Sequence, residues 1–278
     1  MRFIEIVLLM IALLVFPAFA FDVACPQAAW QGKVVEISLL SVEANAVSGL
    51  FLDQKFKLYK NENGFSGVVG VPINQKPGYY GLILTINFDN GRTEEIRQTI
   101  TVRPTRFPVT RFYLPPARNK LRAPQIVDDE WGQIEKVLLV EADDRRWQGE
   151  FSLPTTAVIS QGFGHREVIN NKPAGNHRGV DIAAMSGSPV KAPNAGKVVF
   201  AGKLKAFGGT MVLDHGQGIH TLYFHLSKFI ANVGEEVEKG TAIALSGNTG
   251  ISSGAHLHWA MSVHNLRVDP MQWVEQEL

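Results

Sequence analysis

The chain contains eight histidines, and all of them fall between His165 and His264. Four sit in three short motifs: His177-Arg178-Gly179-Val180-Asp181, Tyr223-Phe224-His225-Leu226 and His256-Leu257-His258. Imidazole is a common metal ligand and titrates near neutral pH. The clustering therefore suggests a metal site with proton-transfer partners in the C-terminal half. The first 164 residues lack that chemistry.

Spacing constrains how these motifs can work. Residues two apart on a strand point to the same face, about 6.5–7 Å apart. His256 and His258 therefore face one space. Both could bind one metal, or one could bind it while the other reaches over the substrate. Taken alone, the motif equally describes two histidines on a solvated strand face. His177 and Asp181 would lie about 13 Å apart on a straight strand, too far to share an ion whose bonds are near 2 Å. They need a bend, and Arg178-Gly179 allows one because glycine tolerates unusual backbone angles. Alone, this spacing reads more naturally as a surface His–Asp hydrogen bond. Together, two imidazoles and one carboxylate make a three-ligand set that leaves a fourth position open, the pattern of catalytic zinc. Such a metal activates water and polarises a carbonyl. His225 and the remaining histidine of the His256/His258 pair could move protons or hold a developing oxyanion.

The surrounding elements read as mainly β. Lys33 to Leu40, Phe51 to Tyr59, Tyr79 to Phe88 and Glu94 to Val102 are strand-like, with a strong hairpin signal at Asp89-Asn90-Gly91. Short strands at this spacing predict a small N-terminal β-sandwich. Residues 104 to 126 are rich in proline and read as a connector. Asp128 is expected to cap one short linking helix that runs to about Glu141, with Trp131, Ile134, Val137 and Leu138 on one side, packed between the domains. From Phe151 onward, glycine-punctuated strands recur at 196–202, 210–214, 219–225, 241–246 and 255–263. Asn171 to Asn176 reads as a polar loop that delivers His177 to a strand over Val180–Ala183. No helix-alternating pattern suggests a parallel α/β fold.

Residues 1–20 have the form of a secretory signal peptide: Arg2, an apolar run from Ile6 to Phe16, Pro17, and Ala18-Phe19-Ala20 at the cleavage positions. The run is shorter than the roughly 20 residues that span a bilayer comfortably. The reading predicts an exported protein of the periplasm or cell envelope, with no stable transmembrane segment after cleavage. The competing reading is a retained anchor. Cys25 is the only cysteine, so no intrachain disulfide can form. The net charge of +1 provides no broad basic footprint for nucleic acid.

The motifs H-R-G-V-D-I-A-A, G-S-P-V-K-A-P, G-K-V-V-F-A-G, L-D-H-G, L-Y-F-H-L, G-N-T-G and S-G-A-H-L-H-W, in that order over about residues 155 to 275, resemble peptidase family M23, the lysostaphin- and LytM-like endopeptidases. The resemblance implies a compact antiparallel β catalytic domain of the barrel-sandwich-hybrid type. It implies one Zn2+ per chain, held by His177, Asp181 and His258, and catalytic roles for His225 and His256. The implied substrate is peptidoglycan, cut at a peptide bond of its stems or cross-bridges. The alternative is a non-catalytic cell-wall-binding scaffold or amidase regulator that uses the same groove. The expected division is a signal peptide at 1–20, a β-sandwich domain at 21–106, a connector and helix at 107–150, and the catalytic domain at 151–278. The N-terminal domain is a candidate for intramolecular regulation.

Other features are read as structural. His215 is expected to shape the turn after Leu213-Asp214-His215-Gly216, and His165 and His264 to sit in loops. His220 lies five residues before His225, on the opposite side of a regular strand. Gly250-Ile251-Ser252-Ser253-Gly254 matches a serine-hydrolase elbow only formally, because that triad runs serine, acid, histidine, and no histidine follows Asp269, the first acid after Ser252. There is no H-E-x-x-H helix, phosphate-binding loop or dinucleotide fingerprint.

Overall fold

A computed structural model of the protein describes residues 21–40, 42–276 and 278. The leader expected over residues 1–20 lies outside the described residues. The strands are β1 (Asp22–Ala24), β2 (Ala28–Trp30), β3 (Val34–Leu40), β4 (Ala46–Phe51), β5 (Gln54–Asn61), β6 (Gly64–Gly70), β7 (Gly78–Asn87) and β8 (Thr93–Arg103) in the N-terminal half. Then follow β9 (Val109–Phe112), helices α1 (Pro116–Lys120) and α2 (Pro124–Leu138), β10 (Ile159–Gln161), β11 (Arg166–Ile169), β12 (Lys172–Asn176) and β13 (Val180–Ile182). The rest are β14 (Pro189–Lys191), β15 (Gly196–Leu204), β16 (Gly208–Gly216), β17 (Ile219–Leu226), β18 (Lys228–Phe229), β19 (Glu236–Val237), β20 (Ala242–Leu245), β21 (Leu257–Val263), β22 (Leu266–Val268) and helix α3 (Met271–Glu275).

The N-terminal strands form one path, β1-β3-β6-β5-β4-β7-β8-β2. β5 is its corner: residues 54–58 pair with β4, whereas residues 59–61 pair with β6. The sheet thereby closes over itself as a sandwich. Alternate residues Leu82, Leu84 and Ile86 of β7 meet Ile37, Leu39, Phe51 and Ile100 in the core. That period of two is the signal by which these strands were legible in the sequence.

The second large sheet runs β10-β13-β21-β17-β16-β15-β19, with β22 on β21. Two three-stranded sheets, β12-β11-β9 and β14-β20-β18, flank it. One face of the large sheet packs Val180, Ile182, Met211, Leu213, Tyr223 and Trp259 against Val190 and Ile243. The other face carries Val212, Leu222, Phe224 and Ala260 beneath Ile134 and Leu138 of α2. Each of those two helix side chains is fully buried and contributes about 1.5–3 kcal/mol. β16 and β17 are buried at every position because both faces of the sheet are covered. A third cluster joins the halves, with Val34 and Val68 against Met261, Val263, Val268 and Trp273. Lys33 and Asp269 add an ion pair of 2.8 Å at this junction.

Several local expectations change. α2 begins at Pro124, with Ala123 rather than Asp128 at its cap. Proline fits the first helical turn because it has no N–H to leave unpaired. The helix packs on the second sheet, not between the halves. Lys172–Asn176 is a strand, not a loop, because β11 supplies hydrogen-bonding partners along it. The connector is also less irregular than its prolines suggest: it contains α1, and β9 pairs in parallel with β11. His215 lies within β16 and spans Ala195 O (2.6 Å) and the Thr221 hydroxyl (2.8 Å).

Candidate metal centre

β13 and β21 run antiparallel with Asp181 directly opposite His258. Paired residues share a face, so the carboxylate and the imidazole start as neighbours. His177 enters from the segment just before β13. Its backbone is fixed to the base of the β11–β12 hairpin by His177 N–H donating to His165 O (2.9 Å) and Gly164 N–H donating to His177 O (2.8 Å). The bend at Arg178-Gly179 then brings His177 Nε2 to 3.0 Å from Asp181 Oδ1. The glycine is needed for a different reason from the one expected. Gly179 has no left-handed backbone angle; a Cβ there would lie 2.6 Å from Trp259 O and 2.7 Å from His258 Nε2. The bare backbone makes room for the His258 ring.

His177 Nε2, Asp181 Oδ1 and His258 Nδ1 lie 2.8–3.0 Å from one another. Two of these atoms are imidazole nitrogens facing each other. His177 Nδ1 donates to Gly162 O at 3.0 Å, so neutral His177 presents the Nε2 lone pair to the centre. Three electron-pair donors pointing at one spot are stabilised by a cation. Two nitrogens and a carboxylate oxygen form the donor set of catalytic zinc sites, with ligand bonds near 2.0–2.2 Å. The residues therefore fit a divalent metal. Among the described residues, this is the group whose geometry could hold one.

Protonation agrees with that chemistry. Burial drives His258 down to about 4, so it is a neutral ligand at neutral pH. Burial also pushes Asp181 upward, but hydrogen bonds from His177 and His258 outweigh this and hold it well below the usual carboxylate range. For His177, burial acts downward and is overcome by the Asp181 hydrogen bond and charge, leaving it raised. A metal cation would reverse that last shift by repelling the proton.

His225 and His256 complete the cluster. His256 precedes β21 and forms a bridge with Gly247. Its Nδ1 donates to Gly254 O at 2.9 Å, and its Nε2 lies 3.7 Å from Asp181 Oδ1. His225 arrives by a distortion. Phe224 pairs with His258, so strict alternation would turn His225 into the opposite face beside Tyr223. β17 instead contains an extra residue relative to β16: Gly209 pairs with Leu226 while Met211 pairs with Tyr223. At this bulge His225 adopts φ +60°, a conformation that costs a non-glycine residue about 1–3 kcal/mol. The bulge re-aims the ring to 4.8 Å from His256 and 6.2 Å from His258, between centroids. Bulges beside active sites commonly redirect a side chain in this way. Burial holds His225 down to about 3, and its Nδ1 donates to Thr249 O at 2.7 Å.

The structure brings all five predicted site residues together. The other histidines are not in the donor set: His165 precedes β11 and borders the cluster, its carbonyl accepting the His177 N–H, His264 lies in the β21–β22 turn, and His215 and His220 are buried in the sheet. The alternation argument about His220 and His225 fails at the bulge. Sequence reasoning missed the carbonyls of Gly162, Thr249 and Gly254, which fix the three imidazole tautomers. Backbone acceptors leave no signal in residue type. It also missed Glu167, which accepts a hydrogen bond from buried Gln161 at 2.7 Å beside the cluster. Burial raises its carboxyl above the ordinary glutamate value.

A mainly β scaffold thus presents a His/Asp/His donor set that could hold a metal, with two further imidazoles beside it. Residues 175–270 match peptidase family M23. This segment is similar to an M23 peptidase domain. Over 96 residues it is 44% identical to a metalloprotease of Haemophilus influenzae, covering 34% of this chain and 20% of that protein. Over 115 residues it is 38% identical to the peptidoglycan DD-endopeptidase ShyA of Vibrio cholerae, covering 41% of this chain and 27% of that one. The chain thus matches about a quarter of the length of these curated relatives. A Pseudomonas aeruginosa crystal structure assigned to peptidase M23 shares the fold with TM-score 0.66 and 24% identity, covering 88% of this chain and 93% of that one.

Proposed function

We propose that this protein is an exported zinc metalloendopeptidase that hydrolyses peptide bonds in peptidoglycan stems or cross-bridges. The observation that carries this reading is the convergence of His177 Nε2, Asp181 Oδ1 and His258 Nδ1 within 3.0 Å of one another, with His225 and His256 at their side. The likeness to a peptidoglycan endopeptidase supports the substrate class.

His177, Asp181 and His258 would hold the zinc. When bound, the ion supplies Lewis acidity, which polarises the scissile carbonyl and makes water nucleophilic at neutral pH. The protein supplies the proton traffic. Nδ1 of His225 is committed to Thr249 O and Nδ1 of His256 to Gly254 O. Neutral forms of both rings therefore present Nε2 lone pairs. Either can accept a proton from the attacking water and, once protonated, donate to the oxyanion or to the leaving amine. Asp181 would balance the charge of the ion and stay ionised, because the shared cation stabilises its carboxylate.

Within this reading, residues 21–106 form a β-sandwich domain, 107–150 a connector and 151–278 the catalytic domain. The leader directs the protein to the periplasm or cell envelope, and the N-terminal domain regulates access to the groove. Digestion of defined muropeptides by the purified chain tests the activity. Products cut at a peptide bond, lost on chelation and restored by zinc, are expected. Wall binding without turnover at any metal loading would favour a scaffold or amidase regulator instead.

A further inference from the structure

The connector lies outside the matched segment of residues 175–270, yet two of its side chains grip the backbone that positions His225. Glu130 of α2 is a buried acid. Its carboxylate accepts the backbone N–H groups of Lys205, Ala206 (2.8 Å) and Phe207 (3.4 Å). The same short turn supports the bulge directly, because Phe207 O accepts the His225 N–H at 3.1 Å. Arg118 of α1 grips from the other side. Its guanidinium donates to Gly250 O and, at 2.8 Å, to Asn248 O. These carbonyls flank Thr249, whose own carbonyl takes the His225 Nδ1 proton.

The two gripped segments are also locked to each other. Ile251 N–H donates to Ala206 O at 2.7 Å, and a Cβ on Gly250 would sit 2.4 Å from that oxygen. Gly209 N–H donates to the Thr249 hydroxyl, which in turn donates to Leu226 O, both at 2.9 Å. The backbone N–H and the ring of His225 are thus each held by a segment that a connector side chain clamps. A left-handed, non-glycine bulge persists only where its surroundings over-determine it. A carboxylate on three amides and an arginine on two carbonyls are charge-assisted bonds, about twice as strong as neutral ones.

We infer that Arg118 and Glu130 are positioning residues for His225, so that the catalytic geometry is completed by the connector and not by the M23 segment alone. The inference rests on the proposed role of His225 in turnover. The orientation itself has an independent readout, the His225 Nδ1 proton donated to Thr249 O. In the full-length, zinc-loaded protein, Arg118→Ala should lower kcat about tenfold to a hundredfold, the loss expected for a displacement near 1 Å. KM and zinc stoichiometry should stay as in the wild type. Nitrogen-edited NMR of the histidine rings should show the His225 Nδ1 proton shifted or exchanging faster, with that of His177 unchanged as an internal control. Arg118→Lys can keep one carbonyl contact and should recover part of both losses. Glu130→Gln, which preserves volume but turns an NH2 toward the amides, should move the same His225 signal from the opposite side. A wild-type His225 resonance in Arg118→Ala and Glu130→Gln would overturn the inference at any level of activity. A wild-type enzyme that does not turn over would defeat the proposed function instead and leave the resonance test intact.

Discussion

Gly179→Ala is a one-carbon perturbation whose consequences can be worked from distances. The new Cβ would meet Trp259 O at 2.6 Å, His258 Nε2 at 2.7 Å and Ala260 Cβ at 2.9 Å. Trp259 and Ala260 lie on β21, between β13 and β17, and are fully buried. That strand cannot retreat cheaply, so the His258 ring and the bend before Asp181 must give. Gly179 has no left-handed φ, so alanine brings no backbone strain and even gains about 0.4–1 kcal/mol from a less flexible unfolded chain. Overpacking of this kind costs about 1–3 kcal/mol. If that cost is released by moving His258, zinc affinity falls by the same free energy, about 5- to 150-fold at 1.4 kcal/mol per tenfold. Competition titration of the metal-stripped protein with a zinc chelator of known affinity measures the loss. Gly132→Ala in α2, where a Cβ meets nothing within 4 Å, is the control and should leave affinity unchanged. Wild-type zinc affinity and wild-type thermal stability in Gly179→Ala would refute the reasoning that backbone clearance here shapes the metal centre.

Three further outcomes are expected. His177→Ala and Asp181→Asn should each remove both bound zinc and turnover, as read by metal analysis and muropeptide digestion; activity that survives without zinc would contradict the ligand assignment. His225→Ala and His256→Ala should keep zinc at one per chain but lower kcat about 10²- to 10⁴-fold, the usual range for a lost general acid or base; parallel loss of zinc would move that histidine into the ligand set. Acid should destabilise the fold through His215 and His220, both of which burial drives down to about 4. Because the unfolded chain protonates first, this stability is intact above the unfolded value near 6.5 and is lost as pH falls from there toward 4, at up to about 1.4 kcal/mol per pH unit for each histidine. Urea unfolding of the metal-stripped protein at pH 7.5 and 5.5 measures it; burial holds His225 and His258 down as well, so His220→Leu should remove one histidine's share, roughly a quarter, of the pH dependence, and an unchanged slope would remove His220 from the explanation.

The chemistry was more legible than the devices that aim it. His256 and His258 could be placed on one face from their spacing, because a strand's period of two is imposed by backbone geometry. The need for a bend between His177 and Asp181 followed from bond lengths alone, and the family resemblance chose between ligands and catalytic groups where spacing could not. The bulge at His225 was hidden. Tyr223-Phe224-His225-Leu226 reads as an ordinary strand, and the partners of the left-handed residue, the Phe207 and Thr249 carbonyls, lie far from it in sequence or leave no signal in residue type. Gly179 was noticed for its flexibility when what matters is the absence of a side chain. The start of α2 was readable, since Pro124 is a standard first-turn signal, but Asp128 is a stronger capping residue type and drew the boundary too late. Lys172–Asn176 is polar and contains proline and glycine, so its own composition argues for a loop; pairing with β11 overrides that preference.

The central claim is that three side chains hold one catalytic cation that cuts peptidoglycan peptides. The most direct measurement is mass analysis of cross-linked muropeptides after incubation with the full-length protein, zinc-loaded or chelated, alongside His177→Ala. The account predicts products that gain one water per cut peptide bond with the zinc-loaded wild type alone, and none with chelator or with His177→Ala. Equal, chelator-resistant cleavage by His177→Ala would contradict it.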